Sequence, residues 1–159
     1  MPKEIKILVD SREQKPWEFS IEENTKSGFI TKITSSEVIK LDQGDYTVEG
    51  LEDKIIIERK SGLCELFVNY TPIENKKRLE AEFVRMQGIK HKYIVIESNL
   101  DADTMRMSLQ QFKYPIPASK IVAWILELEL KYQVTPIFAG NAGKKIARLL
   151  FDQAARLYL

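Results

Sequence analysis

Two short segments in the first half of the chain bring together residues that could do chemistry. Residues 44–48 and 54–60 each have the pattern of a β-strand, and the polar residues between them include a glycine suited to a turn. A turn midway between the segments predicts a β-hairpin in which Asp45 lies directly across from Glu58, with Cβ atoms about 4.5–5.5 Å apart. Lys60 follows Glu58 by two residues, so its side chain points to the same face.

The chemistry open to such a group is the cation-assisted reaction of an anion. Two carboxylates this close repel each other unless a proton or a cation lies between them. Carboxylate oxygens suit Mg²⁺ or Mn²⁺, and a neighbouring lysine suits an anion such as a phosphodiester. The alternative is a solvated cross-strand pair on an exposed strand. The apolar run 55–57 favours the chemical interpretation, because it predicts a buried strand of an α/β sheet, and α/β proteins place their sites at strand ends.

A second acidic group follows the first predicted strand, residues 6–9. Asp10 and Glu13 emerge at the end of this strand, with Arg12 between them. An aspartate at such a junction is also typical of a helix cap. Pro16 argues against a long helix here, because it biases the chain toward a turn or an extended form. The sequence therefore predicts two more carboxylates near the end of a buried strand.

The remaining elements alternate in a pattern typical of an α/β domain. Further strands are predicted at 29–33, 38–41, 92–97 and 134–138, the last at an edge of the sheet because it contains Pro136. Helices are predicted after a cap at Ser61, from Pro72, over 101–112, after a cap at Ser119 as far as Tyr132, and after a cap at Asn141. A weak helical turn is predicted within 14–27. We therefore expect a sheet that is covered by helices on both faces.

Three segments, in this order, resemble the motifs of a known family. Residues 9–13 read V-D-S-R-E, residues 41–46 read L-D-Q-G-D-Y, and residues 57–61 read I-E-R-K-S. They are similar to the V-D-x-R-E, G-D and E-R-K-x-x-x-D signature of the nuclease domain of the XPF/Hef structure-specific endonucleases. The resemblance covers nearly the whole chain and implies an α/β fold with a restriction-endonuclease-like central mixed sheet flanked by helices. The family's final aspartate falls at Cys64, and Glu65 would replace it after a small shift of the helix.

The residues and the resemblance together predict a metal-dependent DNA endonuclease. In this prediction Mg²⁺, or Mn²⁺ in its place, assists hydrolysis of a phosphodiester bond. Lys60 positions or activates the attacking water and stabilises the charge that develops on the phosphate. Arginines orient the DNA backbone, although Arg59 has the alternative role of anchoring the hairpin to a nearby carboxylate. The predicted catalytic residues are Asp45, Glu58, Lys60, Arg59 and Arg12. The predicted metal ligands are Asp10, Glu13, Asp45 and Glu58.

Substrate and partners follow from the resemblance. It implies branched, flap or single-strand/duplex junction DNA, a homodimer, and a place in DNA repair and recombination. Longer family members carry a tandem helix-hairpin-helix module, whereas residues 1–159 are predicted to form a single nuclease domain without it. We therefore expect weak DNA binding and an additional DNA-binding partner. The alternatives are a non-catalytic DNA-binding or assembly subunit and a plain single-strand or non-selective nuclease.

Composition is compatible with these expectations. The 159 residues have the size of one domain. A formal net charge of +1 does not by itself indicate nucleic-acid binding, but an acidic centre can offset basic patches elsewhere. With one cysteine and no apolar run of about 20 residues, the sequence predicts an intracellular protein without a membrane span, cytoplasmic or, in a eukaryote, nuclear. The homodimer is also favoured by apolar residues predicted to be exposed on the last helix: Phe151, Ala154, Ala155, Leu157, Tyr158 and Leu159.

Overall fold

A mixed β-sheet forms the centre of the protein. The computed structural model describes residues 2–19, 28–109 and 115–159, and within these residues the sheet has six strands, in the order β2-β1-β3-β4-β5-β6. Its central strand β3 is antiparallel to both neighbours, whereas the other strand pairs are parallel. The strands are β1 (Lys3–Asp10), β2 (Thr31–Ile39), β3 (Tyr46–Val48), β4 (Ile55–Lys60), β5 (His91–Ile96) and β6 (Val134–Phe138).

Helices cover both faces of the sheet, which confirms the predicted α/β architecture. The helices are α1 (Leu63–Tyr70), α2 (Ile73–Arg85), α3 (Ala102–Arg106), α4 (Ala118–Tyr132) and α5 (Gly143–Tyr158). On one face α1, α2 and α4 pack on Ile56 and Ile94, and on the other face α5 packs on Ile57 and Val95. These four helices present apolar stripes to the sheet, such as Leu79 and Phe83 at i and i+4 on α2.

The hairpin of β3 and β4 has the predicted register. Tyr46 pairs with Ile57 in the antiparallel ladder, and this register sets Asp45 opposite Glu58. The backbone N–H of Asp45 donates to the Ile57 carbonyl at 2.9 Å. Gly44 precedes the strand with φ of 67°, and a Cβ built there would lie 2.3 Å from Cγ1 of Ile56. Only glycine fits this position, because both the backbone angle and the close approach exclude a side chain.

The prediction of separate strands at 29–33 and 38–41 is wrong. One strand, β2, runs continuously from Thr31 to Ile39 and pairs in parallel with β1. Its second half is largely exposed at the sheet edge, so polar residues that were interpreted as a break lie within the strand. Leu41 lies beyond the strand but is buried.

Several predicted helix boundaries also need correction. The helix predicted over 101–112 ends at Arg106, and Ser108 instead forms a β-bridge with Pro117. The residues at the N-caps are Gly62, Pro117 and Ala142, so the predicted caps at Ser61, Ser119 and Asn141 are wrong. The Ser61 hydroxyl bonds to Glu65 instead. No helix forms in 14–19, and the rest of the predicted turn, 20–27, lies outside the described residues, as do residues 110–112 of the predicted helix.

The apolar surface expected on the last helix is mostly internal. Phe151, Ala154 and Ala155 are buried against the sheet, and the Tyr158 hydroxyl lies 2.7 Å from Nε2 of His91. This premise for a homodimer is therefore wrong for most of the helix, and the homodimer itself stays a prediction. Among the described residues, no helix combines the length and apolar character that crossing a bilayer requires.

Candidate active site

Three carboxylates lie in a row across three neighbouring strands. Asp10 ends β1, Asp45 immediately precedes β3 and Glu58 lies within β4. Tyr46 pairs with Val9 on one side and with Ile57 on the other. The three acidic residues are the next ones along their strands, so they lie side by side across the sheet. The N–H of Asp10 donates to the carbonyl of Asp45 at 2.8 Å. Adjacent strands are about 4.7–4.9 Å apart, so the row is compact.

Asp45 and Glu58 are carboxylates in surroundings that disfavour their charge. Burial, followed by the negative charge of Asp45, raises the pKa of Glu58 to about 8. Burial also raises the pKa of Asp45 to about 7, and the negative charge of Glu13 raises it further. The backbone N–H of Arg59, which donates to Oδ2 of Asp45 at 2.7 Å, acts in the opposite direction and lowers this pKa. A cation bound between the two carboxylates would therefore stabilise their ionised forms.

Lys60 lies beside this pair and keeps its proton. Its side chain is buried, with Nζ 3.4 Å from Oε1 of Glu58 and 4.0 Å from Oε1 of Glu65. Burial alone would lower the pKa of Lys60, but the surrounding carboxylates of Glu58, Glu65, Asp45 and Glu82 raise it above the ordinary value. Of the two roles predicted for Lys60, this environment supports charge stabilisation and positioning rather than activation of water as a base.

The carboxylate of Asp10 is hydrogen-bonded to other residues of the chain. Its oxygens accept hydrogen bonds from Nε of Arg12 at 2.8 Å and from the N–H of Leu41 at 3.0 Å, and Arg12 also donates to the Leu41 carbonyl at 2.9 Å. Burial favours the neutral form of Asp10, but the hydrogen bonds from Arg12 and Leu41 lower its pKa below the usual value. Asp10 thus holds Arg12 at the rim of the site, with the side chain of Arg12 mostly exposed.

Glu13 lies further out than the row. It is half-buried, and its charge raises the pKa of Asp45, so the two carboxylates are electrostatic neighbours. Glu13 lines an adjacent recess of about 420 Å³ together with Arg12, Arg59 and Glu65. The structure therefore brings Glu13 near the site without joining it to the pair.

The substrate-orienting role predicted for Arg59 is not supported by its position. Side chains alternate along a strand, so Arg59 points to the face opposite Glu58 and Lys60. Its Nε donates to Oε1 of Glu97 at 2.5 Å, and its guanidinium lies 4.5 Å from the ring of Trp17. Of the two alternatives, the structure favours anchoring, with Glu97 as the carboxylate.

Two residues of the site were missed by the sequence analysis. Glu82 and Arg85, on helix α2, line a recess of about 190 Å³ together with Asp45 and Glu58. The charge of Glu82 contributes to the raised pKa of Glu58. Charged residues on a helix usually face solvent, and only the packing of α2 over the sheet reveals that these two face the carboxylates.

The acidic group expected near the start of α1 is Glu65. Cys64 is exposed, whereas Oε2 of Glu65 accepts from the N–H and the hydroxyl of Ser61, each at 3.2 Å. Because Oε1 of Glu65 also lies 4.0 Å from Lys60, Glu65 supplies the negative charge that Cys64 does not.

Two of the predicted ligands suit a divalent cation. Within the described residues, no three His, Cys, Asp or Glu side chains form a group that could hold a metal, and the part of Asp10 and Glu13 as ligands stays a prediction. Asp45 and Glu58 do fit, because they are hard oxygen donors whose like charges lie together in a buried place. Mg²⁺ is commonly held by one or two carboxylates, with waters and substrate phosphates completing its shell.

Comparison with known proteins gives a family and a fold. A model of the ERCC4 domain matches residues 9–151. Two solved structures share the fold: "XPF from Aeropyrum pernix", 20% identical with a TM-score of 0.62, and "XPF from Aeropyrum pernix, complex with DNA", 19% identical with a TM-score of 0.55. Each comparison covers 96% of this chain and 64% of the other, so the chain spans about two thirds of the structures it matches. No curated protein gives a significant match.

Proposed function

The chain belongs to the ERCC4 domain family, and from this premise we propose that it is a DNA endonuclease that hydrolyses phosphodiester bonds with the help of a divalent cation. The observation that carries the proposal is the pairing of Asp45 with Glu58 beside a protonated Lys60. DNA as the substrate is supported by the likeness to XPF from Aeropyrum pernix, one structure of which is a complex with DNA.

Each residue has a distinct role in this proposal. Asp45 and Glu58 would hold Mg²⁺ or Mn²⁺, and such a cation polarises the phosphoryl oxygen and makes a bound water more acidic. Lys60, fixed among carboxylates, presents its ammonium to the phosphate and stabilises the charge that develops there. Arg12, held by Asp10, borders the same recess. None of these groups reads a base, because contacts to phosphate carry no sequence information.

Selectivity for DNA shape is part of the proposal. Binding through phosphates alone favours substrates in which a strand is accessible, such as flaps, forks and single-strand/duplex junctions. With a formal net charge of +1, the isolated chain should bind duplex DNA weakly and with a shallow dependence on salt. A second copy of the chain or another DNA-binding partner would then strengthen its hold on the substrate.

The competing function is that of a non-catalytic DNA-binding or assembly subunit. A subunit without catalysis has no need for a buried pair of carboxylates, and such a pair is costly to keep without a cation. The presence of Asp45, Glu58 and Lys60 in one place therefore favours the enzyme.

The test is a cleavage panel with single-stranded, duplex, flap, fork and four-way DNA in Mg²⁺, Mn²⁺ or EDTA. We expect cutting only with a divalent cation, and most on substrates with an accessible strand. Glu58→Gln should abolish cutting, whereas Glu74→Gln, at an exposed position of α2, should cut like wild type. Undiminished cutting in EDTA or by Glu58→Gln would contradict the proposed function.

A further inference from the structure

Helix α2 carries two arginines on either side of the candidate active site. Arg85 lines the recess of about 190 Å³ that contains Asp45 and Glu58. Arg78 lines a second recess of about 140 Å³ that contains Lys60. Glu82 lines both recesses, so one face of α2, formed by Arg78, Glu82 and Arg85, is a wall common to the two. We call it the α2 wall.

These arginines differ from the other cations around the site. Arg12 is bonded to Asp10, Arg59 to Glu97 and Lys60 to Glu58, and Lys76, also on α2, lies 4.8 Å from the ring of Tyr70. Within residues 2–19, 28–109 and 115–159, neither Arg78 nor Arg85 makes a salt bridge or a hydrogen bond through its side chain. Both guanidinium groups are therefore available to a ligand.

The second recess contains a further sign that it receives a polar ligand. Oδ1 of Asn69 is buried and has no hydrogen-bond partner, although Asn69 lines the recess with Arg78. Buried polar atoms are nearly always bonded, so an orphan calls for an explanation. An amide oxygen accepts hydrogen bonds, so the orphan atom marks an unmet polar contact beside the recess, and binding of an anion there rests on Arg78.

We propose that the α2 wall lines the path of a single DNA strand, and that Arg85 and Arg78 bind phosphates on opposite sides of the phosphate that is cut. This rests on the proposed function. Seven residues of helix separate the arginines by about 10.5 Å along its axis, whereas phosphates of one DNA strand follow each other every 3.4 Å along a duplex. The arginines therefore contact different phosphates. Glu58 shares a recess with Arg85 and Lys60 shares the other with Arg78, and the negative charge of Glu82 keeps phosphates toward the two ends of the wall.

The first test is binding of a fluorescent single-stranded oligonucleotide, measured by anisotropy in EDTA at several salt concentrations. Arg78→Gln and Arg85→Gln should each weaken binding about fivefold, as expected for a partly exposed ion pair. Each should lower the salt slope by about 0.7, and the double variant by about 1.4. Arg→Lys at either position should keep the slope. The control is Lys77→Gln, which removes an exposed cation of the same helix that lines neither recess and should bind like wild type.

The second test locates the two contacts along the strand. Phosphates on each side of the mapped cutting position are replaced one at a time by uncharged methylphosphonates. In wild type, two of these replacements should weaken binding, one on each side. Arg85→Gln should become insensitive to one replacement and Arg78→Gln to the other. Circular dichroism of every variant checks that the fold is kept.

The results separate this proposal from the proposed function. Wild type that neither binds nor cuts DNA would overturn both. Wild type that cuts DNA, with Arg78→Gln and Arg85→Gln binding as tightly as Lys77→Gln, would overturn the α2 wall and leave the nuclease intact. Loss of sensitivity at the same methylphosphonate in both variants would also overturn it, because the two arginines would then share one phosphate.

Discussion

Asp45 and Glu58 follow the Tyr46–Ile57 pair at the end of the hairpin, and both line the same recess of about 190 Å³. Their pKa values are raised to about 7 and about 8, mainly by burial. The buried pair therefore destabilises the metal-free protein, as active-site residues commonly do.

Neutralising one member of the pair should separate stability from activity. Glu58→Gln keeps the shape of the side chain and removes a buried charge, so we expect the metal-free protein to gain on the order of 1 kcal/mol at pH 8. Cutting should fall at least about 100-fold. Urea unfolding in EDTA and cleavage in Mg²⁺ measure the two effects. A lower urea midpoint for Glu58→Gln would show that the pair stabilises the fold.

The same pair predicts how stability depends on pH. Carboxyl groups ordinarily titrate near pH 4, and the pKa values of Asp45 and Glu58 in the folded protein are higher. Between these values the folded state binds more protons than the unfolded state, so stability of the metal-free protein should fall as the pH rises from about 4 to about 8. Urea midpoints across this range should fall more steeply for wild type than for the double variant Asp45→Asn/Glu58→Gln. Equal slopes would refute the linkage.

Lys60 should act through its charge. Because surrounding carboxylates raise its pKa, Lys60→Gln should lower turnover about 100-fold, while Lys60→Arg, which keeps the positive charge, should restore part of it. A lysine that accepted a proton from water would not be replaced by arginine, since arginine remains charged at any relevant pH. Turnover numbers of the two variants decide between these roles.

Replacing Arg59 should reduce the stability of the fold more than the affinity for DNA. Arg59→Ala removes the bond to Glu97 and the contact with Trp17, and we expect it to cost about 1–3 kcal/mol of stability. Glu97→Gln should cost less, and a double-mutant cycle should show coupling between the two positions. Affinity for single-stranded DNA should be close to that of wild type. A large loss of affinity with unchanged stability would restore the substrate-orienting role.

Gly44 and Gly50 offer a matched pair for testing the hairpin. Both have positive φ, but a Cβ at Gly44 would lie 2.3 Å from the Ile56 side chain, whereas nothing lies within 4 Å of one at Gly50. Gly50→Ala should cost about 1–2 kcal/mol from backbone strain alone, and Gly44→Ala should cost more because a buried side chain must also move. Similar urea midpoints for the two variants would contradict the close approach.

The hairpin and the carboxylate pair were predictable because their causes are local. The apolar run of β4 and the turn before it fix the register, and the register fixes which side chains face each other. The parallel strands β5 and β6 were also predicted, from short runs rich in β-branched and aromatic residues.

What the sequence could not supply depends on packing between distant segments. Glu82 and Arg85 reach the site only because Leu79 and Phe83 dock α2 on the sheet. Arg59 was assigned to the site because its segment resembles the family signature, yet alternation along the strand places its side chain on the other face. The continuity of β2 was missed, since pairing with β1 holds its polar residues in the strand.

The order of assembly of the site follows from where its contacts lie in the chain. The hydrogen bond from the N–H of Arg59 to Asp45 joins residues only 14 apart in sequence. Closing so short a loop costs little entropy, so the hairpin does not depend on packing of the helices for this contact. The α2 wall, in contrast, meets the hairpin only through packing across the sheet face. A partly folded chain could therefore already possess the carboxylate pair while lacking the wall, and opening of α2 in the native protein would expose the pair to solvent without changing its spacing.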